Sequence, residues 1–358
     1  MSSMSFSALA PIPVDTRRAV LHQLLDDSLQ HGPEYEEGMA NHLPMALAAL
    51  DGLGAHEAQM RAFYAHYARR LGPAPAVAVV ARCAREAGHG AIDGWRSLRG
   101  RIDAFAALRR HFAAALARDG RDALLRDVLA ALMDGSAGAA FHGSIRVAHA
   151  VESGHDGELA AALAYFAARW IPLPQPARSD AVFTAPAAWL DAIDAHQRRT
   201  APGWRSPAPL ISERMQHAAL TGAWIELADA LVVSDGQVPE ALAALAKAAA
   251  ARYAATGNFT VLHIATASRA AQLLAPWLPT QADAWRPLLH AVAAASIAAR
   301  AMPMKRDVST ALTWADVRRA ACASDDDHVI KLVHAMSMQH ARAPDPVWLN
   351  AARAAIQD

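Results

Sequence analysis

The sequence predicts an all-α fold, on three observations. Alanine recurs along the whole chain and β-branched residues are sparse, so intrinsic preference favours helix almost throughout. Apolar residues repeat at helical spacing: Leu21, Leu24, Leu25 and Leu29 make one stripe, and Phe105, Leu108, Phe112 and Leu116 another. No run alternates apolar and polar residues between turn dipeptides, as a half-buried strand would. The chain is therefore expected to form one helical domain over residues 1–358, with about fifteen helices. It can be built as a single body or as two packed halves, 1–170 and 211–358.

Glycine and proline divide the pattern. In the first half, helices are expected near 14–30, 35–50, 56–70, 76–87, 101–118, 121–134, 137–152 and 157–169. The second set is expected near 187–199, 211–233, 238–255, 259–277, 281–301, 313–321, 326–341 and 346–356. Asp15, Ser234-Asp235 and Asp325 stand where helices would start. Residues 171–210 differ, with Pro172, Pro174, Pro176, Pro186, Pro202, Pro207 and Pro209. Proline lacks an amide donor and breaks helix interiors, so this is a long connection holding one helix, either a lid over a site or a linker between halves. No constant-period repeat suggests a solenoid.

Composition excludes several classes of function. Lys plus Arg equals Asp plus Glu at 34 each, which argues against a nucleic-acid or anionic-membrane surface. Hydrophobic residues are 54%, enough for a full core. The two cysteines, Cys83 and Cys322, fit a reducing compartment and rule out a disulfide framework. The first residues lack a signal-peptide pattern, and no uninterrupted apolar run reaches membrane-span length. A cytoplasmic protein with no membrane segment is expected. Strand–GxGxxG–helix, GxxxxGK[ST], GxSxG and HExxH are all absent, so no NAD or FAD motif and no familiar hydrolase or zincin signature is present.

Seventeen histidines set this chain apart. Imidazole is the commonest metal ligand and acid–base group. Four neighbourhoods stand out. In the first, His42 follows Asn41 in an apolar stretch, where Asn41 could bond a ring nitrogen or a substrate; the alternative is an ordinary core histidine. In the second, His142, Arg146 and His149 fall at i, i+4 and i+7, on one helix face or on a solvated one. His142 and His149 would lie about 10 Å apart along the axis, too far to share one ion. In the third, His263 sits between Leu262 and Ile264, with Thr260 and Thr266 near. In the fourth, His328, Lys331 and His334 recur every three residues. An ammonium repels a metal, so Lys331 fits such a site only with its proton affinity depressed by burial or with its amine carboxylated to a carbamate. Otherwise it is a surface lysine paired with an aspartate.

Together the segments NHLPMALAAL after a tyrosine, FHGSIRVAHAVE, FTVLHIATA and SDDDHVIKLVHA, in that order, resemble the questin oxidase-like family over about Tyr35 to His334. The resemblance implies an all-helical oxidoreductase. Some members act on anthraquinone-type aromatics by oxygen insertion or ring cleavage. It also implies a non-haem iron site, with His42, His142, His263, His328 and Lys331 as ligand candidates and a carbamate on Lys331 as the hard oxygen donor. On this reading Fe2+ works with O2 on an aromatic or polyketide-like small molecule, and Arg146 or Asn41 anchors a phenolate or quinone oxygen. The alternative is a metal-free helical binding protein with the histidines as pocket residues. His149, His290 and His334 receive no role from the sequence.

Overall fold

A computed structural model describes residues 14–74, 92–302 and 311–357. The helix expected near 76–87, and Cys83 within it, lie outside the described residues. Among these residues there are sixteen α-helices and one sheet, a two-stranded antiparallel hairpin. The N-terminal part runs α1 (Val14–Ser28), β1 (Glu34–Tyr35), β2 (Met39–Ala40), α2 (Leu43–Leu53) and α3 (Glu57–Tyr67). It continues through α4 (Phe105–Asp119), α5 (Arg121–Leu132), α6 (His142–Ser153) and α7 (Asp156–Ala168). After the Pro-rich segment and its single helix α8 (Pro186–Thr200) come α9 (Ile211–Ala218), α10 (Gly222–Leu227), α11 (Val238–Thr256) and α12 (Phe259–Leu274). The chain then forms α13 (Arg286–Ala299), α14 (Trp314–Cys322), α15 (Asp327–Arg342) and α16 (Pro346–Ile356).

Three expected helices are broken in ways that matter for the site. The segment expected as a helix over 35–50 begins as the hairpin, with Glu34 opposite Ala40 and Tyr35 opposite Met39. Gly38 at φ 95° turns the chain, and Pro44 in the first turn lets α2 start only at Leu43. The segment expected over 137–152 carries three successive non-glycine residues in the left-handed region: Ala139 (φ 46°), Ala140 (φ 52°) and Phe141 (φ 68°). Such residues are costly in backbone energy, and they re-aim the chain just before α6. The segment over 211–233 is two short helices, because the Thr221 hydroxyl accepts the Trp224 amide proton and caps a new start. Leu231 then leaves helical geometry to bridge Phe183.

Four helices meet at the centre. α2 packs on α6 and α15, and α12 packs on α6 and α15. Two of these contacts join the first half of the chain to the second. Ile330 of α15 belongs to the apolar cluster formed by Leu21, Leu25, Leu47, Phe63 and Tyr67 from the N-terminal helices. Gly143 makes the α6–α7 approach possible: a Cβ there would meet the Phe166 ring at 2.5 Å. No helix among the described residues is long and apolar enough to cross a membrane.

Candidate metal centre

The four central helices bring His42, His142, His263 and His328 into one cluster. Their rings touch in sequence: His42 and His142 stack with centroids 4.5 Å apart, His42 and His328 are 4.8 Å apart, and His142 and His263 4.9 Å apart. Each histidine sits at or near a helix start. His42 precedes α2 and His142 opens α6. His263 lies in the first turns of α12, capped by Asn258, whose Oδ1 accepts from the Thr260 and Val261 amides. His328 follows Asp326, whose Oδ1 accepts from the His328 and Val329 amides. Helix starts fix backbone position well, so four short arms converge without long flexible loops.

The hydrogen bonds on the ring nitrogens are informative. His42 Nδ1 lies 2.6 Å from Asp327 Oδ1, and His263 Nδ1 lies 2.8 Å from the Phe259 carbonyl. His142 Nδ1 bonds the Ala139 carbonyl, inside the left-handed turn. A carbonyl or carboxylate can only accept, so Nδ1 carries the proton in each case and Nε2 is left with its lone pair. Nε2 of His42 and Nε2 of His142 are both buried and have no hydrogen-bond partner among the described residues. One ligand atom each from His42, His142 and His328 lies within 4.8 Å of the others. His263 stands beside this trio, its ring 5.6 Å from that of His328.

The charge states agree with this arrangement. Burial holds the His142 and His263 imidazoles well below their usual range, and neighbouring histidines and Lys331 add to the effect. Burial, with Lys331 next, pushes His42 down to about 3, against the pull of Asp327. These rings are neutral at neutral pH, which is the ligand form. For Asp327, burial works to raise the pKa, but His42, Lys331 and His328 outweigh it and keep the carboxyl well below the usual carboxylate range.

Asp327 is the residue that sequence reasoning missed. Its Oδ1 sits against His42 Nδ1, His328 Nδ1 at 3.1 Å and Lys331 Nζ at 3.1 Å. The carboxylate fixes the tautomer of His42 and strengthens it as a donor, and its charge lies against His328 as well. In an acidic run, Asp325-Asp326-Asp327, each residue reads as a cap or a solvated charge. The available signal was Asp327 at i and Lys331 at i+4, one above the other on α15.

Lys331 is buried, 3% exposed, and reaches the cluster through Asp327. Its amine rests on Asp327, and burial lowers its proton affinity against that pairing. Asn41 and Arg146 are placed otherwise. Asn41 Nδ2 donates to the Gly32 carbonyl and Oδ1 accepts from the Leu43 amide, so the side chain ties the hairpin to α2. Arg146 makes a buried bidentate pair with Glu158 of α7, at 2.6 and 2.9 Å. Neither lines the cavity beside the histidines.

The remaining histidines separate. His149 and His334, one or two turns farther along α6 and α15, meet Glu152 in a second buried group whose ligand atoms also lie within 4.8 Å. Arg269 pairs with that Glu152 and supplies a positive charge there. His290 Nε2 bonds Asp229 3.1 Å away, beside Trp224 and away from both groups.

A cavity of about 140 Å3 opens on the first cluster. His42, His142, His263 and His328 form its floor, and Met39, Ala139, Ala140, Leu210, Ile211 and Phe259 wall it. Pro209 and Leu210 bring the end of the Pro-rich segment into that wall. The Phe259 ring, half exposed, lies edge-on to His263 and His328. The donor set suits a divalent transition metal: His42, His142 and His263 are neutral with fixed tautomers, two buried Nε2 atoms lack a partner among the described residues, and a carboxylate stands behind His42.

Compared with known proteins, the chain matches a family model described as questin oxidase-like over residues 39–336. The match begins in the hairpin and ends in α15, so it encloses all four cluster histidines. No curated protein matches the chain.

Proposed function

The chain belongs to the questin oxidase-like family, and from that premise we propose that it is a non-haem iron oxygenase or oxidase acting on an aromatic or polyketide-like small molecule. The observation that carries this reading is the pair of partnerless Nε2 atoms on His42 and His142, buried at the floor of an apolar cavity. A buried polar atom without a partner is costly, and its presence calls for a missing one. His42, His142, His263 and His328 would hold the iron. Imidazole suits iron and zinc alike, and the oxidative character of the family favours iron. Iron(II) would supply the one-electron chemistry that lets dioxygen react with a closed-shell organic molecule.

The protein's own contribution is positional. Asp327 and the Phe259 and Ala139 carbonyls hold the three Nδ1 protons and so aim the rings. Apolar walls exclude water, and Phe259 covers the outer edges of His263 and His328. Lys331 serves as the ammonium that balances Asp327 or, once carboxylated, as a further oxygen ligand. Burial favours the second role, because an amine must lose its proton before it adds carbon dioxide; the Asp327 contact favours the first.

Elemental analysis of untagged protein prepared without oxygen tests the proposal. Near-stoichiometric iron in the wild type, lost in His42→Ala and His142→Ala, is the expected result. Folded protein that binds aromatic molecules but no metal would instead support the metal-free binding protein. Lys331→Ala and Lys331→Arg separate the roles of the lysine. Iron lost in both marks a ligand, since arginine cannot be carboxylated in this way. Full iron in both removes Lys331 from the ligand set.

A further inference from the structure

Beyond the histidines, the cavity wall presents one side chain with a permanent charge, Arg214, near the start of α9. Its Nη2 donates to the Pro209 carbonyl at 2.7 Å, and its Nε is buried without a partner. Among the described residues Arg214 makes no ion pair. Arg169, near Gly38 of the same wall, behaves differently: it is held by both carboxylate oxygens of Glu34. Deeper in the site, Asp327 and Lys331 cancel one another. The guanidinium of Arg214 is thus a half-buried positive charge on an apolar cavity, with donors to spare and no anion among the described residues to take them. Guanidinium groups placed in this way recognise planar oxyanions.

The size of the cavity limits what brings that anion. Its volume of about 140 Å3 is close to that of an apolar protein cavity known to accept a single benzene ring, ~150 Å3. A fused three-ring molecule would leave most of its surface outside. The wall that one ring would meet is apolar and partly aromatic, with Phe259 at the mouth.

We propose that this cavity takes a single-ring aromatic molecule bearing one ionised oxygen group, a carboxylate or a phenolate, which Arg214 holds while the ring lies over the histidine floor. The proposal rests on the reading of this cavity as the substrate site, and it narrows the substrate class. Arg214 acts here as a positioning and specificity residue.

Equilibrium binding to the whole protein tests it with paired probes: benzoate against benzamide, and 4-nitrophenolate against nitrobenzene. At least one ionised probe should bind roughly tenfold or more tighter than its neutral partner, as expected for a charge-assisted pair. Whichever pair shows the preference identifies the oxyanion. Arg214→Gln should erase the preference, and Arg214→Lys should keep part of it. Anthraquinone-2-carboxylate, with the same anion on three rings, should bind no tighter than benzoate. Equal binding of ionised and neutral probes to the wild type, an unchanged preference in Arg214→Gln, or tighter binding of the three-ring probe would overturn the proposal. The three-ring comparison uses wild-type protein and does not depend on how the variants fold. Iron content measured on the same samples keeps the two readings apart. An iron-free protein that prefers the ionised ring upholds this inference and removes the oxygenase reading; an iron-bearing protein without the preference does the reverse.

Discussion

Replacing Asp327 by asparagine preserves the size of the side chain and removes its charge. One oxygen of this carboxylate serves three neighbours: His42 Nδ1 at 2.6 Å, His328 Nδ1 at 3.1 Å and Lys331 Nζ at 3.1 Å. A hydrogen bond to a charged group is stronger than a neutral one by about 1 kcal/mol, so the two weakened bonds, from His42 and Lys331, amount to ~2 kcal/mol. A second route gives a similar size: removing one partner of a buried ion pair costs about 3–5 kcal/mol. Loss of the carboxylate behind two imidazoles should also weaken metal affinity by about 10–100-fold. Urea unfolding gives the first quantity, and metal retained against graded chelator gives the second. The control is the residue before it. Asp326 caps α15 through the His328 and Val329 amides, and asparagine caps as well as aspartate. Asp326→Asn should therefore stay within about 0.5 kcal/mol of wild type. If Asp327→Asn matches Asp326→Asn in both measurements, the organising role given to Asp327 is wrong.

Three further outcomes follow from the same contacts. His42, His142, His149, His263 and His334 all have pKa values lowered in the fold, chiefly by burial, so the unfolded chain takes up their protons first. Above the unfolded value of ~6.5 these rings are neutral in both states and cost nothing, and stability falls as pH drops below it, at up to about 1.4 kcal/mol per pH unit for each group; urea midpoints unchanged between pH 7.5 and 5.5 would contradict this. Arg146→Ala, by stranding the buried Glu158 carboxylate, should cost about 3–5 kcal/mol, whereas Arg146→Met combined with Glu158→Leu should recover most of it, as read by thermal unfolding. Gly138→Ala would drive a Cβ into the Arg169 carbonyl, so it should destabilise at or above the upper end of about 1–3 kcal/mol; a melting temperature equal to wild type would show that the segment moves aside.

The helical architecture was legible because alanine content and 3.6-residue spacing act locally, and most expected helices appear within a few residues of their expected bounds. The hairpin at Glu34–Ala40 was not, since it depends on Glu36 and Gly38 both taking positive φ inside a sequence that is otherwise helix-compatible. Spacing alone does not group His42, His142, His263 and His328; the resemblance does, and the fold places their rings side by side. Arg146 shows what spacing leaves open. It lies one turn from His142, as expected, yet its charge is taken by Glu158 on the following helix, a choice set by packing between helices. Asp327 was hidden by its two acidic neighbours, because which of three consecutive aspartates faces inward depends on the rotation of α15. Arg214 lies outside the four histidine segments, and its place beside them depends on a cavity that only the fold assembles.

The left-handed run Ala139-Ala140-Phe141 also bears on how this protein could be engineered. A search for thermostable variants would favour changes that let this segment relax toward ordinary helix, since its conformation works against the stability of the native state. The same segment supplies the Ala139 carbonyl that orients His142, and two alanines of the cavity wall. Gains in melting temperature made there should therefore come with loss of the His142 orientation and of the cavity wall, so that selection for heat resistance and selection for the proposed function would pull these three positions in opposite directions.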